Sequence, residues 1–348
     1  MEDAMPETTP SLDDWRRLYQ AAGRLKETAP WQWMEEVDIF GVQDPETGEL
    51  GFVSIMGLLG EHYALALYRG AEGLSRFWDY QEAASTMPPE ELLNIPNMQA
   101  SFEDRGELFD RDRAQIKELG LKYRGRNAWP MFRDYSPGYC PWYLEPAQVR
   151  FLTHATEQAV EVALRFKQDR IVVNLPDEDT YLVRVPRQEA GALVWEDQVM
   201  AIPYVEPEGI RIVIDRGALE AARRLPRSGL KLEADLFMFP GCIGERGERP
   251  YYAYNLLVVE SQRGLIIGTE LLDPRPGLAA MRGLAAPKLL ALLIALGRLP
   301  ARVAVANGLL FHLLQPLGAE LGFQVGVGPV PALDEAKESM IGRLLGRR

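Results

Sequence analysis

Between Arg124 and Tyr143 the chain gathers the rings of Trp129, Phe132, Tyr135, Tyr139, Trp142 and Tyr143, with Arg124, Arg126 and Arg133 among them. Rings interleaved with guanidinium groups could stack unpaired bases and hold phosphates, with Arg126, Asn127, Trp129, Arg133, Tyr139 and Trp142 as the binding residues. The competing chemistry is structural. Pro130, Pro137, Pro141 and Pro146 stiffen the stretch, so its rings could plug the gap between domains while Tyr and Trp keep a polar tip satisfied. We prefer this reading and expect the run to be largely buried, because a formal charge of -12 disfavours a broad grip on nucleic acid.

Other chemistry-bearing residues are sparse. His62, His154 and His312 share no ligand spacing. The chain has no phosphate-binding Gly-x-x-x-x-Gly-Lys-Ser/Thr loop, and Val325-Gly-Val-Gly328 lacks the third glycine of a dinucleotide fingerprint. No cofactor is expected. Cys140 and Cys242 are too few to suggest a disulfide framework or a zinc site, which points to a reducing cytoplasm. The start, Met-Glu-Asp-Ala-Met-Pro, lacks the basic and apolar segments of a secretion signal. Arg282, Pro287 and Lys288 interrupt the most apolar window, 277–297, so it reads as buried helix with no membrane role. A protein partner is therefore expected ahead of nucleic acid.

The elements that must position these residues follow from length and periodicity. At 348 residues the chain exceeds the roughly 250–300 at which single cores stop growing, so two domains are expected. Ser11-Leu-Asp-Asp14 starts a bracing helix with Leu12, Trp15, Leu18, Ala22 and Leu25 on one face, and Pro30 ends it. Strands over 37–43, 50–57 and 62–69 form a meander, its first turn Asp44-Pro-Glu-Thr-Gly48. A helix from Ala71 to about Ala84, a strand over 98–102, a helix over 108–119, a strand over 128–132 and a long helix from Pro146 complete the first half. Residues 168–229 read as a β-rich connector, with strands over 171–173, 181–186, 193–203 and 210–214.

The second half repeats the order. Strands over 230–239, 251–260 and 265–272 precede apolar helical pattern to Gly297, then strand 303–306, helix 309–321, strand 323–327 and helix 333–345. The boundaries expected are a bracing helix over 1–30, an α/β domain over 31–167, the connector over 168–229 and an α/β domain over 230–348. Both domains read β-β-β-α-β-α-β-α, which suggests an internal duplication. Their helix-linked strands should lie parallel.

This order is similar to the ribonuclease H-like fold, and the chain also resembles an uncharacterised bacterial two-domain family. The first resemblance implies mixed sheets covered by helices. It also implies carboxylates on the first strand, first helix, fourth strand and last helix, where active enzymes hold two magnesium ions. In the first domain the matching acids are Asp44, Glu72, Asp104 beside Glu103, and Glu157. In the second, Asp235, Asp334, Glu335 and Glu338 match, but the first helix has no acid and the fourth strand ends in neutral Asn307. We therefore expect a non-catalytic cytoplasmic interaction or scaffold protein on a degenerate nuclease-like fold. The alternatives are a magnesium-dependent nuclease, or a protein binding single-stranded nucleic acid, in the first domain.

Overall fold

The computed structural model describes residues 9–83, 88–173, 175, 177, 179–245 and 247–344. The first eight residues, together with Ala84 and Leu345 at the ends of two expected helices, lie outside them. The protein is mixed α/β and forms two compact units. Unit 1 comprises residues 1–82, 92–136 and 141–206; unit 2 comprises 83–91, 137–140 and 207–348.

Unit 1 opens with helix α1 (Leu12–Thr28). Asp14 N–H donates to Ser11 Oγ at 3.1 Å and Ser11 N–H donates to Asp14 Oδ2 at 3.2 Å, so two otherwise unpartnered amides are satisfied at once. The helix ends at Ala29, held in the left-handed region just before Pro30. There follow β1 (Phe40–Gln43), β2 (Leu50–Met56), β3 (Ala64–Arg69), α2 (Gly70–Ala83), β4 (Asn97–Glu103) and α3 (Asp110–Glu118). Then come β5 (Trp129–Tyr135), α4 (Pro146–Gln168), β6 (Thr180–Glu189) and β7 (Ala192–Ala201).

The sheet order is β5-β4-β3-β2-β1-β6-β7. α1 and α4 pack together over one face, burying Leu18, Leu25, Leu152, Val162 and Phe166 among the strand residues Phe40, Val53 and Phe102. Each such side chain contributes about 1.5–3 kcal/mol through area removed from water. Gly51 lets α4 lie close, since a Cβ there would stand 2.9 Å from the Phe151 ring. A smaller core, with Phe52, Tyr68, Leu74 and Phe77, fills the other face beneath α2.

Three expectations for this half are corrected. β4 pairs antiparallel with β3, and β5 antiparallel with β4, where crossover helices predicted parallel strands. The expected connector is divided, since β6 pairs with β1 and β7 with β6, extending the first sheet. Without them β1 would offer a bare ladder edge. Finally, residues 171–173 begin inside a 3-10 turn (Arg170–Val172), and residues 210–214 form no strand.

Unit 2 contains α5 (Arg216–Arg223), β8 (Lys231–Ile243), β9 (Tyr251–Glu260), β10 (Leu265–Leu272), α6 (Leu278–Arg282) and α7 (Ala285–Leu296). It closes with β11 (Arg302–Val305), α8 (Gly308–Leu321), β12 (Gln324–Val327) and α9 (Pro331–Leu344). The order is β10-β9-β8-β11-β12, with the first three strands antiparallel and the last two parallel to β8. Here the expected topology holds. α7 and α8 cover one face through Leu289, Leu293, Leu313 and Leu317, and α9 covers the other through Leu333.

Unit 2 also holds the cysteines, which form a disulfide between Cys140 and Cys242 with Cα atoms 6.2 Å apart. Backbone pairing brings them together. Tyr252 N–H donates to Gly138 O at 2.9 Å and Cys140 N–H to Pro250 O at 3.0 Å, so residues 138–140 lie beside the start of β9, the partner of β8. The expectation of unpaired thiols is corrected.

Candidate functional site

In unit 1 the four candidate acids each have local surroundings that account for them. Asp44 opens the β1–β2 turn, where its carboxylate accepts from Thr47 Oγ1 at 2.8 Å and Glu46 N–H at 3.2 Å, and Gly48 supplies the left-handed step. Glu72 is exposed in the first turn of α2, where a carboxylate complements the helix dipole. Asp104 accepts from Asn127 N–H at 2.7 Å. Glu157 on α4 takes Arg24 at 3.2 Å, and the His154 imidazole, its Nδ1 3.7 Å away, holds its carboxyl below the ordinary range against the opposing effect of burial. Among the described residues, no three His, Cys, Asp or Glu side chains gather as a metal site.

The corresponding region of unit 2 has a different composition. Asp235, 4% exposed on β8, pairs with the ammonium of Lys337 on α9 and accepts from Asn307 Nδ2 at 3.3 Å. Asn307 is itself committed, because its Oδ1 caps α8 by accepting from Leu310 N–H at 2.9 Å. Glu233, two residues before Asp235 and on the same face of β8, accepts from Leu333 N–H at 2.8 Å near the start of α9. The other acids on α9, Asp334, Glu335 and Glu338, are exposed. What α9 offers Asp235 is a cation. Sequence reasoning passed over Lys337, although it stands one helical turn after the buried Leu333 and so shares its face.

The aromatic run divides between ordinary packing and surface. Arg133, expected as a phosphate contact, is corrected: it is 3% exposed, and its guanidinium grips Asp112 of α3 in two bonds of 2.9 and 2.6 Å. The rings of Phe109 and Tyr143 each lie 4.9 Å from it. Phe132 is buried edge-on to Tyr19 at 4.9 Å. Trp129, Tyr135, Tyr139, Trp142 and Tyr143 are half-buried, so the expectation of a largely buried run holds fully only for Phe132. Trp142 pairs through its backbone with Asp134 in unit 1, while Tyr139 pairs with Tyr251 in unit 2 and lies 5.4 Å from Arg249. Arg126 is exposed; Asn127 takes a left-handed backbone and its carbonyl accepts from Lys26.

Two clefts of opposite charge mark unit 1. One, of about 610 Å³, is acidic, with Asp79, Glu82, Asp177 and Asp179 beside Trp78 and Tyr181. Its polar groups are partly matched internally, since Tyr204 Oη donates to Asp79 at 2.8 Å and Trp78 Nε1 to Tyr181 Oη at 2.9 Å. The other, of about 780 Å³, is basic and includes Trp129.

The chain carries two domains of unknown function. Residues 15–184 match the family model described as Domain of unknown function (DUF7309), and residues 218–341 match the one described as Domain of unknown function (DUF6930). No curated protein matches the chain.

Proposed function

We propose that the protein is a non-catalytic interaction protein, a scaffold for a protein partner, whose second unit is a degenerate ribonuclease H-like domain. The order β10-β9-β8-β11-β12, third-second-first-fourth-fifth within the unit, supports that fold. The observation that carries the reading is Lys337. In active enzymes of the resembled fold, a last-helix acid joins the first-strand acid around metal; here an ammonium neutralises Asp235, and Asn307 is engaged as a helix cap. A divalent ion would have to displace Lys337 from a buried carboxylate and would gain only one strong oxygen ligand, short of what a hard cation needs.

The test is a cleavage assay with magnesium or manganese on single-stranded and duplex DNA and RNA, using the full chain. No cleavage is expected. Metal-dependent cleavage that disappears in Asp235→Asn would overturn the reading for unit 2. Cleavage that disappears in Asp104→Asn would instead establish the competing nuclease of unit 1, with Asp44, Glu72 and Glu157 as its other acids. As to compartment, the Cys140–Cys242 disulfide supports an oxidising one over the cytoplasm suggested by unpaired cysteines. Thiol counting on protein alkylated at the moment of lysis tests this, and two free thiols would restore the cytoplasm.

A further inference from the structure

The basic cleft of unit 1 is assembled from three pieces of chain. The loop after β4 contributes Arg105, α3 contributes Arg113 and Lys117, and the segment leading to β5 contributes Lys122 and Tyr123 ahead of Trp129. Asp110, the one carboxylate among its described lining, is already held by Arg113 at 2.6 Å. Arg105, Lys117 and Lys122 are exposed and make no ion pair among the described residues. Three uncompensated cations lining one concavity stand against the charge of -12 carried by the whole chain. A solvated surface of an acidic protein would be expected to pair or disperse them.

The rings supply the second half of the argument. Trp129 lies 5.8 Å from Tyr123, which in turn stacks on Tyr19 of α1 at 6.3 Å, so the pair is braced from the core. Both remain half-exposed and both line the cleft. The Arg105 guanidinium stands 5.9 Å from the Trp129 ring. Burial pushes the Tyr123 hydroxyl up to about 12, which keeps it a neutral donor. Rigid rings beside unpaired cations suit a ligand that has both a flat π face and negative charge. A base inside a duplex hides its faces, so the ligand is unpaired.

We propose that this cleft binds a phosphate-bearing nucleobase, presented by a single strand or as a free nucleotide, with the base on Trp129 and Tyr123 and the phosphates among Arg105, Lys117 and Lys122. The full chain is titrated with a short oligothymidylate, with thymidine monophosphate and with inorganic phosphate, at several salt concentrations. For the strand, three neutralised phosphates predict a log–log salt slope of roughly -2, at about -0.7 for each. The double variant Lys117→Ala/Lys122→Ala, which touches only exposed side chains, should bring the slope to roughly -0.7 and weaken binding. Trp129→Leu should weaken binding about 5- to 150-fold and leave the slope unchanged, the range of about 1–3 kcal/mol per stacked base. Equal binding of monophosphate and strand would identify a free nucleotide as the ligand; tighter strand binding would identify nucleic acid. The proposal is overturned by no binding of strand or monophosphate, by inorganic phosphate binding as well as the monophosphate, or by unaltered affinity and slope in the lysine double variant.

Discussion

Units 1 and 2 write their elements in nearly the same order, yet in unit 1 the strands linked by α2 and by α3 pair antiparallel, whereas in unit 2 β11 and β12 join the sheet parallel. For the α3 and α8 links the cause lies in the length of chain between the helix and its next strand. α8 leaves β11 after Val305 and delivers the chain to β12 three residues beyond Leu321, so the helix alone spans the return and β12 must restart at the same end as β11. After α3, a further ten residues without helix or strand, 119–128, intervene before Trp129. Extended chain covers about 3.3 Å per residue against 1.5 Å in a helix. That segment can undo the displacement of a nine-residue helix, and β5 starts where β4 ended. At these two links helix content alone fails as a predictor of polarity; the balance between helix and non-helical return decides it.

The two units also differ in how a buried carboxylate is neutralised, and this can be tested by breaking each pair. The largest effect is expected in unit 1. Arg133→Ala leaves the buried Asp112 without its cation, holding only the Phe109 N–H at 2.9 Å, and should cost about 3–5 kcal/mol in urea denaturation, with amides of β4 and β5 losing exchange protection first. A loss below about 1 kcal/mol would mean that Asp112 finds water or another donor. Next is the disulfide of unit 2. Reduction, or the Cys140→Ala/Cys242→Ala variant, should lower stability by about 2–4 kcal/mol, since the bridge closes a long loop in the unfolded chain. An unchanged midpoint with dithiothreitol would show that the bond does not form in solution. Lys337→Met should cost about 1–3 kcal/mol, because Asp235 keeps only the Asn307 contact; stabilisation instead would show that Asp235 gains protons or water at no cost.

The smallest effect is a dependence on pH. In unit 1, the neighbouring His154 imidazole depresses Glu157, and Arg165 with Arg184 depresses Asp197. A carboxylate depressed by folding contributes stability above its unfolded-state value, about 4, and loses it as pH falls through the lower folded value. The thermal midpoint should be level above about pH 5 and fall below about pH 4. Glu157→Gln and Asp197→Asn should each flatten that limb. A limb of unchanged steepness in both variants would place the acid-sensitive groups elsewhere, Asp273 beside Arg275 in unit 2 being another carboxylate so depressed.

What was legible in the sequence is what chain neighbours decide. Ser11 and Asp14, or Asp44 and Gly48, act across a few residues, and their types name the cap and the turn in advance. The unit 2 topology was equally readable, because its links at α8 are short. The Arg133–Asp112 pair joins β5 to α3, and nothing near either residue distinguishes it from the exposed pair Arg113–Asp110. For the same reason the sequence around Arg133 is that of a surface cation. Cys140 and Cys242 are 102 residues apart, and only the pairing of residues 138–140 beside β9 makes them neighbours. In the candidate site Asp235 and Asn307 were legible, but Lys337 is a cation on the helix where the resembled fold carries an acid.

The discontinuity of unit 2 has a consequence for synthesis. Residues 137–140 leave the ribosome well before Pro250 and Tyr252, to which they hydrogen-bond, and Cys140 precedes its partner by 102 residues. At about 5–20 residues per second, a nascent chain carries that thiol exposed for roughly 5–20 seconds. During this interval the chain has a reactive sulfur with no correct partner yet made, and a catalyst of disulfide exchange, or delayed exposure to oxidant, would protect its yield.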